Sequence, residues 1–109
     1  MRVAALLIAA LVLAGCGSSH RPAKAKPAAV PAYPGATGER SSANSVFATT
    51  DWTLPPGTRP STVYDWYTAK LQALGWRVTQ RNETGLHAER RGKRVDIGVR
   101  GRTLEVISQ

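Results

Sequence analysis

Residues 60–76, PSTVYDWYTAKLQALGW, decide the fold. Val63, Trp66, Tyr67, Leu71 and Leu74 recur at spacings of three and four residues, which marks one apolar stripe along a helix of about 13 residues. Ser61 is placed to accept hydrogen bonds from the free N–H groups of the first turn, and Asp65 adds negative charge close by. Gly75 supplies the left-handed stop, and Trp76 follows where a hydrophobic contact closes a Schellman motif.

Downstream the period changes from that of a helix to that of a strand. Residues 76–81 alternate Trp76, Val78 and Gln80, and Asn82-Glu83-Thr84-Gly85 turns the chain. Leu86, Ala88 and Arg90 alternate next, followed by a tight turn at Gly92-Lys93. Val95, Ile97 and Val99 then alternate before the turn at Gly101, and Leu104 and Val106 mark a last strand with Ile107 on its other face. Half-buried antiparallel strands produce this pattern. Upstream, residues 45–52 (SVFATTDW) read as a strand, with Val46, Ala48, Thr50 and Trp52 on one face and Phe47 on the other. Leu54-Pro55-Pro56-Gly57 ends it, and Tyr33-Pro34-Gly35-Ala36 opens the domain with a turn. The expected architecture is α+β: one amphipathic helix on a four- to five-stranded antiparallel sheet.

The order of these motifs resembles a recurrent domain of small exported bacterial proteins, many of them lipoproteins. The features that carry the likeness are the Tyr33-Pro34-Gly35-Ala36 opening, the strand, the Ser-started helix with Trp66-Tyr67, Leu74-Gly75-Trp76 and the short strands after it. It spans residues 33–109, departs from the pattern at Trp66, where Phe is more usual, and implies a fold without implying an activity.

The amino terminus carries a second resemblance. Met1-Arg2 is followed by an uncharged apolar run over residues 3–13 (VAALLIAALVL). Eleven helical residues reach roughly 16 Å, about half of a ~30 Å hydrocarbon core, so the run has the length of a signal-peptide apolar region. Leu13-Ala14-Gly15-Cys16 then resembles the lipobox of bacterial lipoproteins. That likeness implies a diacylglyceryl thioether on Cys16, cleavage before it, and anchorage on the extracytoplasmic face of a membrane; Gly17 after the cysteine is no acidic retention signal, which leaves the outer membrane open where the cell has one. Two or more acyl chains anchor stably where one does not. Ordinary cleavage after Ala14 and an uncleaved anchor are the competing outcomes. The expected layout is a signal peptide over 1–15, a lipidated cysteine and disordered basic linker over 16–32, and an α+β domain over 33–109. Pro22, Pro27 and Pro31 favour extended polyproline II in that linker.

The chain of 109 residues carries a formal charge of +8. Without the signal segment 14 basic residues face 7 acidic ones, and from Tyr33 onward 11 face 7. A basic surface suits anionic phospholipid or an anionic envelope polymer, whereas nucleic acid does not fit a protein that leaves the cytoplasm. Cys16 is the sole cysteine, so the domain has no disulfide, thiolate metal cluster or cysteine nucleophile. His20 is a lone linker residue, and His87 is expected to face outward with Glu89 and Arg91. The carboxylates show no paired spacing for acid–base work, and no cofactor, metal site or enzymatic activity is expected. Arg90, Arg91, Lys93, Arg94, Arg100 and Arg102 form the candidate anionic-ligand patch, with a solvated strand face that discourages edge pairing as the competing explanation. The expected role is a membrane-anchored binding or accessory module acting on an envelope polymer or protein. A structural lipoprotein assembling through protein contacts is the alternative, and a small envelope enzyme comes last.

Overall fold

A computed structural model of the chain describes residues 24–109. The lipobox, Cys16, His20 and Arg21 lie outside the described residues. The elements are β1 (Thr37–Ala43), β2 (Ala48–Thr53), α1 (Pro60–Ala73), β3 (Arg77–Asn82), β4 (Gly85–Arg90), β5 (Lys93–Arg100) and β6 (Thr103–Ser108).

The helix forms where its apolar stripe predicts, with differences at both ends. Its N-cap is Arg59, which makes no side-chain cap hydrogen bond, and Pro60 opens the first turn. Proline at that position has a pre-set φ and no N–H to satisfy, so Ser61 falls one residue inside the helix and does not cap it. Asp65 lies beyond the first turn and pairs with Arg81 at 2.5 Å. The buried stripe is Val63, Tyr64, Tyr67 and Leu71. Tyr64 joins it because its hydroxyl finds a donor in the Val99 N–H at 3.0 Å. Leu74 leaves the stripe because it is the C-cap, where the chain turns away from the helix axis. The stop is a full Schellman motif: Trp76 N–H donates to Leu71 O at 2.9 Å, Gly75 N–H donates to Gln72 O at 3.1 Å, and Gly75 has φ +87°.

All six strands pair antiparallel in the order β1-β2-β6-β5-β4-β3. The sheet therefore exceeds the expected four to five strands, and the addition is β1, TGERSSA. Its side chains are almost all exposed. An edge strand that buries no face needs no apolar alternation, so periodicity could not reveal it. β2 also starts later than expected, at Ala48. Residues 45–47 belong to the β1–β2 turn, where Asn44 Oδ1 accepts the Val46 and Phe47 N–H groups at 2.7 and 2.9 Å.

One face of the sheet holds the core: Trp52 from β2, Leu104 and Val106 from β6, Val95 and Ile97 from β5, and Leu86 and Ala88 from β4. Helix α1 covers this face over β3 and β4. Six strands make a sheet about 24 Å wide, while a helix with its side chains is only ~10–12 Å across, so half the face needs other cover. Residues 25–33 supply part of it. Ala28 N–H donates to Ser108 Oγ at 3.0 Å, the Tyr67 hydroxyl donates to Pro31 O at 2.8 Å, and Ala28, Val30 and Tyr33 pack on the core. Tyr33 also meets Trp66 edge-on at 5.5 Å between ring centroids. The segment expected as the far end of a free linker is thus fastened to the domain from Ala25 onward.

Candidate functional site

Strand register sorts the polar residues of the sheet into rows, most of them on the face opposite the core, with Thr50 and Ser108 buried on the core side. The central row reads Ser42, Thr49, Ile107, Asp96 and His87 across β1, β2, β6, β5 and β4. Within it His87 Nδ1 contacts Asp96 Oδ1, and Arg94 Nε reaches the same oxygen at 3.0 Å. His87 lies on this outer face and is half-buried there, because Asp96 stands directly across on the neighbouring strand. The next row places Arg40, Asp51, Glu105 and Gly98 side by side. Two carboxylates facing each other across strands repel, and Arg100 pairs with Glu105 at 3.5 Å. Asp51 Oδ1 is buried without a hydrogen-bond partner. Among the described residues no group of three or more His, Cys, Asp and Glu side chains is placed to hold a metal ion.

The six basic residues singled out from the sequence do not form one patch. The β4–β5 turn and the β5–β6 turn sit at opposite ends of β5, an eight-residue strand. Arg90, Arg91, Lys93 and Arg94 gather at the first, and Arg100 and Arg102 at the second. Several also have structural partners. Arg90 Nη1 donates to Leu74 O at 2.8 Å, completing the helix C-terminus, and its guanidinium lies 5.1 Å from the Trp76 ring. Arg102 Nε donates to Leu54 O at 3.1 Å and fastens the end of β2 to the β5–β6 turn. Arg91, at φ +51°, lies in the β4–β5 turn and Lys93 opens β5 beside it, and neither forms an ion pair among the described residues.

Each end of the sheet carries an open depression. The larger, about 620 Å³, lies between the start of α1 and the β3–β4 turn and is lined by Arg59, Ser61, Tyr64, Arg81 and Glu83. The other, about 440 Å³, lies between the α1–β3 connection and the β4–β5 turn, against Leu74, Arg77, Glu89, Arg90 and Arg91. Sequence spacing pointed to Arg90 and Arg91 but missed Arg77 and Leu74. Those two reach the same end only because β3 starts where β4 finishes, with Arg77 opposite Glu89 and paired with it at 3.2 Å.

The chain matches no known protein family, no curated protein and no solved structure. Among the described residues no helix is long and apolar enough to cross a membrane.

Proposed function

We propose that this chain is a lipid-anchored protein of the bacterial cell envelope, with the lipid on Cys16 and a domain that serves as a non-catalytic binding or accessory module. The observation that carries the reading is Leu13-Ala14-Gly15-Cys16 directly after an eleven-residue apolar run. The thiol of Cys16 is the one strong nucleophile in that region, and small neighbours admit the backbone to a peptidase cleft. The sheet face opposite the core supports a binding role, since its polar and charged rows, Arg77-Glu89-Arg94 among them, are open to an envelope protein or polymer. The mass of the mature protein tests the anchor. Wild type should start at residue 16 with a lipid-sized gain, and Cys16→Ser should lack both. A lipid-free chain starting at Gly15 overturns it.

Assembly through strand pairing is the second reading. It is favoured by β1, an edge strand of seven residues whose far half, Ser41-Ser42-Ala43, is uncharged. Sedimentation that stays monomeric as concentration rises would remove it.

A further inference from the structure

Three features meet at one end of the sheet. The first is apolar. Val46, Phe47 and Leu74 are the large hydrophobic side chains left exposed among the described residues, at 67%, 39% and 40%. One exposed apolar residue is ordinary, but these three all lie in the β1–β2 turn or at the C-cap of α1. The second is charge. Arg77, Arg90, Arg91, Lys93 and Arg94 are all exposed there, against two carboxylates, Glu89 paired with Arg77 and Asp96 paired with Arg94, which leaves Arg90, Arg91 and Lys93 without an acidic partner among the described residues. The third is the path of the chain. Ala25 N–H donates to Asn44 O at 2.6 Å, which sets Lys24 and Lys26 beside the β1–β2 turn.

The other end differs on every count. Arg59, Arg81, Arg100 and Arg102 are interspersed there with Asp65, Glu83 and Glu105, and no large apolar side chain is exposed. At the basic end the β1–β2 and β4–β5 turns are three strand spacings apart, about 14 Å, so apolar and basic groups share one small surface.

We propose that this end of the domain docks on an anionic phospholipid leaflet, with Val46 and Phe47 entering the headgroup region and the Arg and Lys side chains meeting lipid phosphates. The orientation rests on the reading of Cys16 as the anchor. Lys24 follows Cys16 by eight Cα-to-Cα steps, a span of at most ~29 Å. Because the chain joins the domain at the basic end, that end is the one a short tether holds towards the membrane. Tethering also raises the local concentration of the surface against the leaflet, so weak contacts suffice. A soluble anionic polymer would use the same cations but has no need of Val46 and Phe47, which is why the leaflet is favoured.

The test places an environment-sensitive thiol dye on the lipidated full chain at Val46→Cys, or at Glu83→Cys on the opposite end. The lipid on Cys16 leaves the introduced cysteine as the single free thiol. The proteins are reconstituted in phosphatidylcholine vesicles with and without phosphatidylglycerol. Docking predicts a blue shift at position 46 in the anionic vesicles and none at position 83. Salt raised to about 0.5 M should reverse it, since screening then acts within a few ångströms. Arg91→Asn with Lys93→Gln should weaken the docking equilibrium by about thirtyfold, read as loss of most of the shift, and both side chains are exposed, in the β4–β5 turn and at the first residue of β5, so the fold is retained. Equal emission at position 46 in both lipids, or a shift at position 83 instead, overturns docking, as does a shift produced only by a soluble polyanion. A mature protein without lipid on Cys16 would end the anchor reading alone. Cys16→Ser protein carrying the same dye, added to preformed vesicles, then decides docking by the same shift.

Discussion

Replacing Tyr67 with Phe removes one hydroxyl, and the structure makes the consequence depend on pH in a calculable way. Tyr67 is fully buried between α1 and the segment that leads into the domain, and its hydroxyl donates to Pro31 O at 2.8 Å. Loss of that bond leaves the carbonyl short of a partner and should cost about 1 kcal/mol at neutral pH. In a domain of this size that lowers Tm by roughly 4–8 °C. Burial also pushes the phenol above its ordinary value of 10.0. The folded protein therefore keeps a proton that the unfolded chain releases as pH passes 10. Stability from this group is complete below that pH and is lost above it, towards the raised native value, at up to about 1.4 kcal/mol per pH unit. At pH 11 the wild type should have lost about 1.4 kcal/mol through Tyr67, while Tyr67→Phe has nothing there to titrate. The wild-type advantage of about 1 kcal/mol should vanish or reverse between pH 7 and pH 11. Urea unfolding of both proteins at several pH values reads this as a difference, in which the other titrating groups cancel. A gap that stays constant from pH 7 to 11 would refute the claim that the phenol is buried neutral, and with it the fastening of Pro31.

Two further substitutions probe the frame around the site. Arg90→Ala removes both the donor to Leu74 O and the stack on Trp76, and should lower stability by about 1–2 kcal/mol in thermal unfolding; a change at Arg91 should cost much less, and equal effects would contradict the assignment of Arg90 as the helix-end partner. Gly85→Ala would place a Cβ 3.1 Å from Ile97 O, a backbone atom that cannot swing aside, so a loss of about 1–3 kcal/mol is expected and an unchanged Tm would count against the tight β4–β5 approach.

The helix and strands β2, β4, β5 and β6 were legible because each buries one face, and burial writes a period into the sequence. Residues 60–76 gave both the stripe and its Gly75 stop. β1 was invisible for the converse reason: TGERSSA buries nothing and is held by backbone pairing to β2, which any residue but proline can supply. The same limit explains Ser45-Val46-Phe47, whose β-branched and aromatic residues look like a strand although Asn44 folds them into a turn. His87 lies on the outer face that its alternation indicates, but its partner was not legible, because only register sets Asp96 opposite it.

By itself the sequence determined the α+β class, the helix with its C-terminal stop, the core residues of β4, β5 and β6, and the lipobox pattern that motivates the proposed anchor. These are local signals, in which the chemistry lies within one turn or one alternation of the chain. Only the tertiary structure decided that the six basic residues divide between two ends of β5. It also brought Val46, Phe47, Leu74, Arg77 and the start of the described chain to the Arg91–Lys93 end. That gathering joins residues up to about seventy positions apart. It exists because antiparallel strands return the chain to the same edge of the sheet, a property of the pairing that no window along the sequence contains.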